Sequence, residues 1–184
     1  VVNQITQAMN MSKLDVGKFQ QAIQYAGNSS ADAGMQFNET LALMATISNT
    51  GVKSGSTIGT GLRQLEADLR APNEKLLAIL KRLGLTVADI SLESNGMMGV
   101  LKNLKDAGFS TADAFQAFEV RAVASYTALK NNTALYADLV EGLNSTTAAA
   151  EANAVQMNSL EAQSARAGNQ FKTFTAEALV PTSH

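Results

Sequence analysis

The 184 residues include no cysteine, no tryptophan, two prolines and one histidine, and aromatic side chains make up only 5%. Without cysteine, disulfides and thiolate metal sites are excluded and the redox compartment stays open. The single histidine, His184, is the last residue. Chain ends as a rule lack fixed partners, so a Ser-His-Asp triad or a His-rich metal site has no centre to form around. No apolar run approaches the roughly 18 residues that span a bilayer, and the N-terminus lacks the charged and apolar regions of a signal peptide. A membrane span in this segment is therefore not expected. Excess charge of one sign is absent too: the formal net charge is −2 and the pI about 5.4. Phosphate binding needs clustered cations, so a specific nucleic-acid grip is not expected.

What is present is 46% hydrophobic residues, with alanine the commonest. The length suits one domain and the apolar content suffices for a core. Small side chains pack closely but bury little area each, which predicts a thin core and stability drawn partly from partner chains, as in a homo-oligomer. Val1 in place of Met suggests a segment of something longer.

Along the chain the pattern is helix after helix. Residues 1–10 and 15–26 read as two helices, the second with Val16, Phe19, Ile23 and Ala26 on one face and Gly27 as its stop. Asn38 is an N-cap candidate for a helix running to about residue 49. Gly51, Gly55, Gly59 and Gly61 then supply either positive φ or close backbone approach, which predicts a glycine-rich turn at 51–61. Helices at 57–69 and 73–83 follow, split by Pro72 and closed by Gly84, with Leu76, Leu77, Leu80 and Leu83 as one apolar stripe. Residues 85–96 alternate β-branched and apolar positions and end in the turn dipeptide Asn95-Gly96, leaving open a minor short β element. Helices are predicted again at 97–105, at 111–118 behind a Ser110/Asp113 cap, at 120–130 and at 133–143.

From 145 to 179 glycine is almost absent and alanine dominant, which predicts one long helix of about 45 Å. Ala150, Asn153, Met157, Leu160, Ser164, Ala167, Phe171, Phe174 and Ala178 keep a 3–4 spacing. That stripe either packs on its own domain or forms a coiled-coil seam weakened by Asn153 and Ser164. The expected organisation is a helical domain at 1–144, a long alanine-rich helix at 145–179, and a tail or added end at 180–184.

A search for chemistry finds little. Lys53-Ser54 beside glycines does not satisfy G-x-x-x-x-G-K-[ST] and follows no strand, so nucleotide binding is rejected. The Lys and Arg excess over 53–82, Lys81-Arg82 included, reads as a solvated helix face. Glu66 with Asp68, or Asp138 with Glu141, could supply paired carboxylates. Residues two apart on a helix diverge, however, and the second pair sits at the wet edge of an amphipathic helix, so solvated charge is the expectation for these carboxylates, Glu66 included. No catalytic, cofactor-binding or metal-ligating residue is assigned, and no enzyme activity is expected.

Residues 49–85 carry more than helix signals. Asn49, Gly51, Val52, Lys53, Gly55, Ser56, Gly59, Thr60, Leu62, Arg63, Pro72, Leu80, Leu83 and Gly84 reproduce N-x-G-[IVM]-K-G-S-x-A-G-T-x-L-R, then leucines, a proline and L-x-x-L-G. This resembles the conserved segment of phage tail tape measure proteins, with a turn one residue longer and Gly61 where alanine is usual. The resemblance extends over roughly residues 17–179. It includes Asn38-Glu39-Thr40 with Leu41, Leu43, Met44 and Ile47, the connection at 89–104 without its usual proline, and Phe118-Glu119-Val120-Arg121-Ala122, with Glu119 for a glycine.

The resemblance implies an all-α structural protein that fills the tail tube, sets its length and leaves ahead of DNA. It implies as partners further copies of itself and the tail tube, tail tip and tail assembly chaperone proteins, with assembly in the bacterial host cytoplasm and residence in the virion tail. It favours the seam reading of 145–179, because those proteins continue into long helices. The alternatives are a membrane- or cell-wall-active role in genome delivery and a generic helical adaptor.

Overall fold

The computed structural model describes residues 2–145, and among these every regular element is helical. In order they are α1 (Val2–Met11), α2 (Val16–Asp32), α3 (Phe37–Asn49), α4 (Gly55–Arg70), α5 (Glu74–Leu83), a short 3-10 helix (Val87–Ile90), α6 (Leu92–Asp106), α7 (Thr111–Ala117), α8 (Val120–Asn131) and α9 (Thr133–Ser145). The fold class is all-α, as expected. The helix and seam expected at 145–179, apart from the end of α9, lie outside the described residues, as do His184 and the rest of 180–184.

Local chemistry sets most boundaries. Asp15 accepts from the Lys18 amide at 2.8 Å, Asn73 from Leu76 at 2.9 Å, and Ser110 from Asp113 at 3.1 Å, each satisfying an N–H that the first helical turn leaves without a carbonyl. Asp113 returns the bond to the Ser110 amide at 2.9 Å, completing a capping box. Gly84 ends α5 in the left-handed region at φ 73°, with the Leu85 amide bonded back to the Leu80 carbonyl.

Four expectations need correction. The short β element at 85–96 is not formed: Thr86 and Asp89 close a capping box that starts the 3-10 helix, and α6 follows directly. Its alternating apolar residues had no second strand to pair with. The turn expected at 51–61 is confined to its start, where Gly51 has φ 93°; Gly55, Gly59 and Gly61 lie inside α4. Gly27 likewise does not stop α2, which runs on to Asp32 with Gly27 buried. In α5 the buried stripe is Leu76, Ile79 and Leu80, while Leu77 points outward.

The glycines inside α4 serve packing. A β-carbon at Gly55 would lie 2.1 Å from the Lys18 carbonyl oxygen, one at Gly59 2.3 Å from that of Ala22, and one at Gly61 2.4 Å from the Ser125 hydroxyl. Gly55 and Gly59 share one helical face, while Gly61, two residues further on, lies on the opposite one. Thus α2 presses on one side of α4 and α8 on the other.

Pairing direction follows from the same contacts. Lys18 meets Gly55, Ala22 meets Gly59, and Ser30 meets Glu66, so α2 and α4 run parallel with a nearly constant offset. Along α4, Gly61 meets Ser125 and Asp68 accepts from the Glu119 amide, which makes α8 antiparallel to it. Similarly α1 runs parallel to α3, joined by Gln4 to Asn38 and by the Lys13 amide to Asn49.

Ile58, Leu62, Leu65 and Leu69 form the buried ridge of α4, each contributing about 2 kcal/mol by burial. Three of the ten aromatic residues cluster. Phe109, Phe118 and Tyr126 form a triad with ring centroids 5.5–5.7 Å apart, and the Lys130 ammonium lies 5.8 Å from the Tyr126 ring centre.

Candidate interaction surface

Where α3, α6 and α9 meet, a cavity of about 980 Å³ opens, with Glu39 and Tyr136 among its walls. The arrangement begins with Asn95-Gly96, which sequence reading associated with a turn. Gly96 breaks the helical geometry of α6 at φ 61° and ψ 173°, a conformation that essentially only glycine adopts. The break frees the Met97 amide, which donates to Glu39 Oε1 at 2.9 Å. Tyr136 donates its hydroxyl to the same oxygen at 3.1 Å. Burial, and then the neighbouring Glu39 carboxylate, push the Tyr136 phenol above its ordinary range, so it remains a donor.

The remaining wall combines apolar Met98, Ala137 and Val140 with amides and a second carboxylate, Glu141; among the described residues no Lys or Arg lines it. Beside it Asn38 bridges helices, accepting from Gln4 and donating to Asn144 at 2.7 Å, while Gln7 donates to the Gly142 carbonyl at 2.9 Å. Side-chain amide hydrogen bonds therefore hold α1, α3 and α9 where a purely apolar contact would have done so less directionally. The arrangement presents an acceptor-rich, partly apolar recess.

A second feature lies on the far end of α7 and the start of α8. Phe115 is 65% exposed and Val120 77% exposed, and both line shallow recesses on either side of the α7–α8 corner. An exposed phenylalanine beside an exposed valine is an apolar edge with no covering element among the described residues.

The residues weighed earlier for chemistry are scattered. Lys53 is exposed on the α3–α4 turn, and Ser54 bonds side chain to side chain with Ser56. Asp138 and Glu141 are exposed, as a wet helix edge predicts. Glu66 departs from its expected solvated position: it is fully buried, while Asp68 is partly exposed and accepts from Gln64 and the Glu119 amide. The two carboxylates do not converge. Glu39 and Tyr136 were missed as a pair because they are 97 residues apart in sequence. The only local signal was the Asn95-Gly96 dipeptide, which pointed to unusual backbone but not to its partner. Among the described residues no group of three His, Cys, Asp or Glu side chains is placed to hold a metal ion, and no helix is long and apolar enough to cross a membrane.

Capped helices, glycine-mediated crossings and recesses lined by amides define a helical packing module. Residues 1–120 match the family described as phage-related minor tail protein, and the chain belongs to that family. It is also 28% identical over 101 residues to a protein described as a probable tape measure protein of Escherichia phage P2, covering 55% of this chain and 12% of that protein. No solved structure matches. The family agrees with the resemblance read from residues 49–85, and the chain is accordingly a phage tail protein.

Proposed function

We propose that this chain is the folded part of a tail tape measure protein, acting in tail assembly and length determination by helical self-association and by contact with other tail proteins. The observation that carries the reading is the family match over residues 1–120, which contain the glycine-punctuated α3–α4 region. The tape measure description of the P2 relative supports the narrower assignment, although that alignment spans only 12% of the relative. In this reading the domain at 1–144 docks the protein and the segment at 145–179 leads into a helical arm. Assembly takes place in the host cytoplasm and the product resides in the virion tail.

A continuous helix turns residue number into distance at about 1.5 Å per residue, which is the physical basis of a ruler. Contact with partners rests on noncovalent packing, and the role requires no reaction.

Two measurements test the reading. Lengthening the parent protein by whole helical repeats is expected to lengthen tails seen by electron microscopy by about 1.5 Å per added residue; tails of unchanged length would refute the ruler. Light scattering on this chain is expected to give an oligomer that dissociates when Met157, Leu160, Phe171 and Phe174 are changed to Glu. An unchanged mass would return that stripe to an internal core.

A further inference from the structure

The α2–α4 seam has two unlike ends. At its start the contacts are backbone on backbone, Gly55 against Lys18 and Gly59 against Ala22, with no side chain of α4 between them. At its far end lies Glu66, a carboxyl with no exposure to solvent. Its Oε1 accepts from the Ser30 hydroxyl at 2.6 Å, and its Oε2 has no hydrogen-bond partner. An ionised carboxylate placed this way loses its hydration and gains only neutral hydroxyl partners, Ser30 in direct contact and Ser29 beside it, which is a poor exchange unless a cation compensates.

Among the described residues no cation is in contact with it. Arg70, on the same helix, is exposed to water and acts on Glu66 only at a distance. From α3 the nearest charge is Glu39, of the same sign. From α2 come the hydroxyls of Ser29 and Ser30. On α8, Arg121 is exposed and Lys130 lies over the Tyr126 ring, and on α6 Glu93 lies against Gly34. Burial therefore dominates and pushes the Glu66 carboxyl up to about 7, against the pull of Ser29, Ser30 and Arg70.

We propose that Glu66 and Ser30 form a proton-operated latch: with the carboxyl neutral, α2 stays seated along α4, and ionisation drives the Ser30 end of the seam open to water. The glycine end holds no ionisable side chain of α4, so opening starts at Glu66. Immediately after α2, Gly34 turns the chain at φ 76°, providing a pivot for that end. The sign follows from linkage. A carboxyl whose folded value is raised binds its proton more tightly in the folded state, so stability falls as pH rises from the unfolded value near 4.5 to about 7 and is level above it. This latch does not depend on the tape measure reading.

The test is urea denaturation of the 184-residue chain from pH 4.5 to 8.5, beside Glu66→Gln. The unfolding constant of the parent chain should rise on the order of a hundredfold relative to the variant across that range. Amide exchange, corrected for its intrinsic pH dependence, should quicken in the second half of α2 before α8. Identical pH curves for the two proteins, or equal quickening of α2 and α8, would overturn the latch. Should Glu66→Gln fail to fold, the ¹³C carboxyl titration of Glu66 in the parent chain decides. A midpoint near 7 that moves higher in Ser30→Ala supports the latch, because the hydroxyl favours the ionised form; a midpoint near 4.5 removes it.

Discussion

Gly59 lies so close to the backbone of Ala22 that a β-carbon added there would stand 2.3 Å from the carbonyl oxygen and 2.9 Å from the Ala22 Cα. Backbone cannot withdraw as a flexible side chain can, so Gly59→Ala must push α2 and α4 apart. The gain in helix propensity, under about 1 kcal/mol, is outweighed by overpacking of about 3 kcal/mol. Thermal unfolding should shift down by roughly 5–10 °C. A variant as stable as the parent would mean that the seam is looser than described.

The Glu39 junction is expected to discriminate between two substitutions. Glu39→Gln keeps an oxygen able to accept from Met97 and Tyr136, whereas Glu39→Ala leaves both donors without it. Urea denaturation should place the alanine variant about 2–3 kcal/mol below the parent and the glutamine variant within about 1 kcal/mol. Equal losses would show that charge, and not the shared acceptor, holds α6 and α9 to α3.

These two sites also show how far the sequence was readable. The cap at Ser110, the corner at Pro72 and the stop at Gly84 depend on neighbours within four residues and are found where the sequence put them, whereas Asn38, expected as an N-cap, lies inside α3, whose cap position is Gln36. Gly55 and Gly59 were harder because two physical reasons for glycine, free φ and close approach, look alike in one dimension. Only the position of α2 shows that the second applies. Glu66 read as solvated because helical periodicity says which residues share a face, not how many faces are covered; α4 is covered on two. Glu39 and Tyr136 meet through tertiary folding alone, so no short-range pattern could have paired them.

Acid should weaken the α7 start. Burial works against ionisation of Asp113, but the Ser110 amide and hydroxyl and the Arg82 guanidinium outweigh it and hold its carboxyl below the usual carboxylate range. A lowered folded value gives stability that is full above the unfolded value near 3.8 and lost as pH falls through the folded one. The difference in unfolding midpoint between the parent chain and Asp113→Asn should therefore be constant from pH 5 to 6 and shrink below pH 3.8. A difference that does not change with pH would assign the cap to hydrogen bonding without charge.

Exposure at the α7–α8 corner makes a separable prediction. Phe115→Ser together with Val120→Ser should leave the unfolding free energy within about 0.5 kcal/mol per site, as expected for side chains that bury little. Sedimentation should nonetheless move toward the monomer if this apolar edge takes part in the proposed self-association. Unchanged sedimentation would confine self-association to other surfaces.

Because α2 and α4 lie side by side in the same direction, tension entering at the beginning of α2 and leaving at the end of α4 would slide one helix past the other. A hairpin of opposed helices peels apart contact by contact; here the carbonyls of Lys18 and Ala22 and the Ser30 bond would all be strained at once. Resistance to pulling is then the sum along the whole seam rather than that of its weakest contact.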